Sequence, residues 1–148
     1  MTLALVLATV GFFALAVFGL GALSVATDAD IIAVPGLGPV PGVSGMLVAM
    51  GAFALSLWSG LRRTQPSFLS AVTIALMSAL AHLVAVWAAV LFAAGDLITA
   101  TTVAGDLVRG GASVVILLAA AIAGWAGIAL RRTRAQQPRW PWERDDEE

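Results

Sequence analysis

The chain contains no cysteine, no lysine and a single histidine, and only 11% of its 148 residues are charged. An ordinary soluble domain carries about 25% charged residues. Without cysteine there is no disulfide framework, no thiolate metal site and no thiol redox chemistry. The patterns H-E-x-x-H, G-x-S-x-G, Walker A and the dinucleotide glycine fingerprint are also missing. These absences leave no catalytic residue, cofactor or metal to assign. They speak against an enzyme, and no nucleic-acid partner is expected.

What fills the chain instead is apolar sequence, 60% of all residues. It falls into four long stretches, about 3–25, 43–61, 68–94 and 107–130. At 1.5 Å per residue each covers about 28–40 Å, against a hydrocarbon core of about 30 Å. None alternates with period two, which removes strands from consideration. The first stretch lacks a basic leading segment and exceeds the roughly 7–15 apolar residues of a signal peptide, so it reads as a retained helix. Small residues around Ala22 and Ala26 are the features that would suit a peptidase.

Charge placement orients the spans. Arg62 and Arg63 follow the second span, and Arg131, Arg132 and Arg134 follow the fourth. The other two loops hold only Arg109, against Asp28, Asp30, Asp96 and Asp106. Arginine flanks the cytoplasmic ends of membrane helices, so both termini are expected in the cytoplasm, with the inner cell membrane as the location. Trp58 and Trp125 fall just before the arginines, at the depth of an interfacial aromatic belt. The expected fold is an all-α membrane protein, a four-transmembrane-helix bundle made of two helical hairpins. Residues 1–133 form the membrane domain and 134–148 a cytoplasmic tail. Trp58–Thr64 echoes Trp125–Thr133, which fits a parallel duplication and equally fits the habit of inner helix ends to finish in Trp and Arg.

His82 stands out because it lies near the middle of the third span, where an ionisable group is expensive. Its helical face carries Ala75, Ser78, Ala79, Ala85 and Ala89, small residues that admit a neighbouring helix. Ser78, one turn earlier, is positioned to hydrogen-bond the ring. Two readings stand: a neutral histidine holding helices in register, or a group that handles protons or ligand. Other small residues recur at helical spacing, Ala52, Ser56 and Gly60 on span two and Ala119, Ala123 and Gly127 on span four. No Asp, Glu, Arg or Lys occupies the centre of any span, which disfavours a carboxylate-driven antiporter.

The loops read as structural punctuation. Residues 35–42, rich in glycine and proline, predict a compact turn. In the next external loop Asp96 is expected to open a short surface helix, and Asp106 to cap the fourth span. The tail runs from basic to acidic through Arg139-Trp140-Pro141-Trp142-Glu143, a composition that does not fold alone. Arg139, Trp140 and Trp142 are therefore candidate contacts, with the tryptophans either lying on the membrane interface or forming a docking peptide.

In layout, in its Arg-rich and Lys-free style and in the Arg-Trp-Pro-Trp-Glu tail, the chain resembles small four-span inner-membrane proteins of actinobacterial type, most without an assigned activity. That resemblance implies no catalytic residues. The function expected is structural or accessory, with the lipid bilayer and either a second copy or a larger membrane complex as partners. The alternative is a small oligomeric transporter or channel with His82 lining the path.

Overall fold

The computed structural model describes residues 2–28, 30–32, 36, 38–62 and 67–135. Among these the regular structure is entirely helical: α1 (Thr2–Thr27), α2 (Val40–Leu61), α3 (Ser70–Ala94), α4 (Leu97–Arg109) and α5 (Ala112–Ala135). Helices α1, α2, α3 and α5 are each long and apolar enough to cross a membrane, which is compatible with a multi-pass integral membrane protein. Only 22–39% of the most apolar part of each is buried inside the molecule. Most of the span surface is therefore apolar and outward-facing.

Two helix starts differ from the sequence expectation by three residues or more. Helix α2 begins at Val40 rather than at 43, with Pro39 at its N-cap and Pro41 in its first turn. Proline is tolerated there because the first N–H groups of a helix have no intrahelical acceptor. The turn before it uses positive φ at Gly36 (87°) and Gly38 (58°), a conformation glycine adopts without a Cβ penalty.

The larger difference concerns the fourth span, which starts at Ala112 instead of 107. Gly110 donates its N–H to the Asp106 carbonyl at 2.7 Å, closing α4, and Gly111 turns the chain with φ 87°. Asp106 thus sits in the last turn of α4 and does not cap α5. Asp96 does cap α4: its carboxylate accepts from the N–H groups of Ile98 (3.2 Å) and Thr99 (2.9 Å) and from the Thr99 hydroxyl (2.6 Å).

Helix α1 packs along α5, α5 along α3, α3 along α2, and α2 touches α1, closing a ring across which α2 and α5 also meet. Neighbours run antiparallel, since Gly19 faces Val115 while Gly127 faces Ala8, and Gly45 faces His82 and Val86 while Gly60 faces Ser70. The core of the ring holds Phe12, Phe53, Leu57, Ile74, Ile116 and Ile128, all sealed from the surface. Phe12 and Phe53 stack with ring centroids 4.7 Å apart. A second cluster joins Val86 and Val90 of α3 to Val103 and Leu107 of α4 and Ala112 of α5. Through Ala100, Val103 and Leu107, spaced three and four residues apart, α4 folds back onto α3. The Trp87 indole N–H reaches the Thr101 hydroxyl at 3.4 Å and ties the same two helices.

At several glycines the neighbouring helix leaves no room for a Cβ. A Cβ on Gly127 would lie 2.9 Å from Ala8 Cβ and 3.2 Å from a Leu57 methyl, and one on Gly19 would lie 2.6 Å from a Val115 methyl. Gly51 has nothing within 4 Å of such a Cβ. Gly127→Leu should therefore destabilise the protein in detergent by about 1–3 kcal/mol through overpacking. Gly51→Leu should leave its unfolding midpoint near that of the wild type.

A second prediction concerns Asp96. Hydrogen bonds from the Thr99 hydroxyl, then from the Thr99 and Ile98 N–H groups, hold its carboxyl below the ordinary 3.8. A carboxyl lowered in the folded state stabilises above its unfolded value, and that contribution is lost as pH falls through the folded value. Amide-exchange protection at Ile98 and Thr99 should fall below pH 3.8. In Asp96→Asn, which keeps a capping oxygen without the titrating proton, this pH dependence should vanish.

Candidate functional site

His82 occupies the midpoint of α3, twelve residues from either end, and is 4% exposed. Glycine makes room for it: a Cβ on Gly45 of α2 would stand 3.3 Å from the ring atoms Cδ2 and Nε2. The imidazole thus lies directly against the α2 backbone, with Val86 beside it. Its Nδ1 is buried and has no hydrogen-bond partner.

Ser78, the other candidate at this depth, is fully buried but does not bond the ring. Its hydroxyl donates to the Ile74 carbonyl at 2.7 Å. A helical serine has a carbonyl of its own preceding turn within reach, and that local acceptor takes the proton. The same happens at Thr9, which donates to Leu5 O at 2.8 Å, and at Ser44, which donates to Pro41 O at 3.1 Å. The structure therefore brings His82 and Ser78 onto one buried face without joining them.

Two further constellations emerge at the ends of the bundle. Where α1 finishes and α4 gives way to α5, a cavity of about 280 Å³ is lined by Thr27, Asp30, Ile32, Asp106, Leu107 and Ala112, among others. Two carboxylates over an apolar floor can oppose a cation. Among the described residues, however, no three His, Cys, Asp or Glu side chains gather as a metal site. At the opposite end Arg62 stacks on Trp58, its Cζ 3.7 Å from the ring centroid, and Arg132 lies over Phe68 at 4.7 Å. Phe68 in turn meets Trp125 with centroids 6.0 Å apart. Trp58 and Trp125 were legible as interfacial residues, but Phe68 was not singled out. The signal for it was its place at the edge of an apolar stretch, beside the arginine-bearing loop. Arg139, Trp140 and Trp142 lie outside the described residues.

The unpartnered Nδ1 makes a sharp stability prediction. An unsatisfied buried polar atom costs about 1–3 kcal/mol, whereas an apolar group of similar shape avoids that cost. His82→Leu should therefore melt at or above the wild-type temperature in detergent, and His82→Ala, which empties the space over Gly45, should melt below it. A marked loss of stability in His82→Leu would show that the ring makes a bond essential to the bundle.

No curated protein and no solved structure shows significant similarity to this chain. A family model matches all of residues 1–148, and the chain belongs to the family of unknown function DUF6121.

Proposed function

We propose that the protein is a structural or accessory component of the cell membrane, with both termini in the cytoplasm. It assembles with a second copy or with a larger membrane complex and offers its tail as a cytoplasmic contact. The observation that carries this reading is the sealing of His82. The one ionisable side chain described at mid-span is 4% exposed and packed against Gly45 and Val86. A conducting path needs polar groups that meet water or solute, and His82 has an apolar helix contact in their place. The orientation rests on the arginines after spans two and four. The reading assigns no catalytic residue.

The second reading, a small oligomeric transporter or channel with His82 lining the path, draws on the free Nδ1. Proton relays in membrane proteins use such buried histidines, and an assembly interface along α2 and α3 would be needed to open this one to water.

The chain's lack of cysteine makes the orientation directly measurable. Ser67→Cys and Thr102→Cys place single thiols on exposed positions at opposite ends of the bundle. A membrane-impermeant maleimide applied to intact cells should label Thr102→Cys and spare Ser67→Cys, and the reverse pattern overturns the topology. For the role itself, tagged full-length protein and a form ending at Thr133 are purified in mild detergent and their co-purifying proteins identified. A stoichiometric partner lost on truncation is the expected result. A partner-free protein whose liposome flux disappears in His82→Ala would replace this reading with the transporter.

A further inference from the structure

We propose that the end of the bundle built by Phe68, Trp125 and Arg132 is a binding site for the phosphate headgroup of an anionic phospholipid. The inference uses the bilayer placement of the spans but not the accessory role. Three observations converge on it.

The first is the separation of charge among the described residues. Arg62, Arg131 and Arg132 lie at this end, while all the described carboxylates, Asp28, Asp30, Asp96 and Asp106, fall in the connections at the other end. The second is the posture of the guanidinium groups. Arg132 lies over the Phe68 ring and Arg62 over the Trp58 ring. A ring holds a guanidinium through its charge without supplying an oxygen acceptor, so the N–H donors that grip a phosphate through two parallel hydrogen bonds are not used up by it. The third is the start of α3 at Ser70, two residues after Phe68. Its first N–H groups donate to the Ser67, Phe68 and Leu69 carbonyls, so this end contributes the positive pole of the helix dipole beside Phe68 rather than open backbone donors.

Apolar surface beside the donors decides between a lipid and a free anion. Phe68 is 39% exposed and Trp125 56% exposed, and the two rings meet at 6.0 Å. Inorganic phosphate would leave that surface in water. A phospholipid covers it with glycerol and proximal acyl carbons while its phosphate meets Arg132. The depth is also right, because α2 and α5, which carry Trp58 and Trp125, run out of apolar sequence here.

The test is lipid-dependent thermal unfolding of the full-length protein in a neutral detergent. Phosphatidylglycerol, phosphatidylcholine and inorganic phosphate are titrated in turn. Phosphatidylglycerol should raise the midpoint in a saturable manner, and the other two should not. A basic group near an anionic membrane surface contributes about 1 kcal/mol, so Arg132→Gln should weaken the apparent lipid affinity about fivefold. Arg109→Gln, at the opposite end, should leave it unchanged. Because each variant is compared with itself in the absence of lipid, a change in its basal stability does not obscure the shift. Equal stabilisation by phosphatidylcholine would mean simple apolar solvation, and an effect of phosphate alone would mean a free-anion site. Either result, or an Arg132→Gln protein with wild-type affinity, overturns the proposal. Failure of the maleimide topology test leaves this outcome untouched, since the measurement is made in micelles.

Discussion

Lipid tails are as apolar as leucine, so a membrane helix gains little by moving a leucine from lipid to a neighbouring helix. What it can gain is close contact between backbones, and that contact is available only where side chains are small. Here Gly19 and Gly127 between α1 and α5, and Gly45 between α2 and α3, sit where a neighbouring helix leaves no room for a Cβ. Ala8, Ala16, Ala49, Ala75, Ala119, Ala120 and Ala123 fill much of the buried core around them. Larger groups enter where the ring of helices leaves width, as with the stacked Phe12 and Phe53. The outward surface is the inverse of a soluble protein's: Phe18 is 77% exposed and Phe92 87% exposed.

That packing rule also governs the polar groups. A helix satisfies its own backbone, which is why helices cross hydrocarbon at all, and the hydroxyls of Thr9, Ser44 and Ser78 return to carbonyls one turn back in the same helix. They add no bonds between helices. His82 Nδ1 and the Ser113 hydroxyl are the buried atoms without such a partner among the described residues, and the histidine ring sits in the space left by Gly45. The register of α2 against α3 and the placement of the histidine are thus one fact.

Much of this was legible in the sequence, and the boundary of legibility has a physical cause. Span existence depends on length and local apolarity, so all four stretches became helices. The cap at Asp96 is equally local, an acceptor placed before free N–H groups. The start of the fourth span was misplaced because Leu107 and Val108 are as apolar as a span residue while serving α4, and apolarity does not say which neighbour is being covered. Gly110-Gly111 was the local clue, since paired glycines end one helix and permit the positive φ that starts another. The absence of a Ser78–His82 bond follows from competition with the Ile74 carbonyl, a contest that spacing alone does not decide. Arg132 over Phe68 joins residues 64 positions apart, and only the antiparallel ring of helices brings them together.

The two ends of the bundle differ more than its faces do. One end gathers arginines and aromatic rings, and the other holds aspartates, α4 and the cavity beside Asp30 and Asp106. In an anionic leaflet each arginine is favoured and each aspartate repelled, so inverting the molecule would cost about 1 kcal/mol for every basic group displaced. The asymmetry of α4 reinforces this. It adds thirteen helical residues to the connection between α3 and α5, so the end bearing the aspartates carries a folded helix beyond the spans. With its middle closed by glycine and alanine contacts, the bundle can meet other molecules through its lipid-facing flanks and these two ends. Among the described residues the ends alone carry charge, so within this part of the chain selective recognition of a polar partner belongs there.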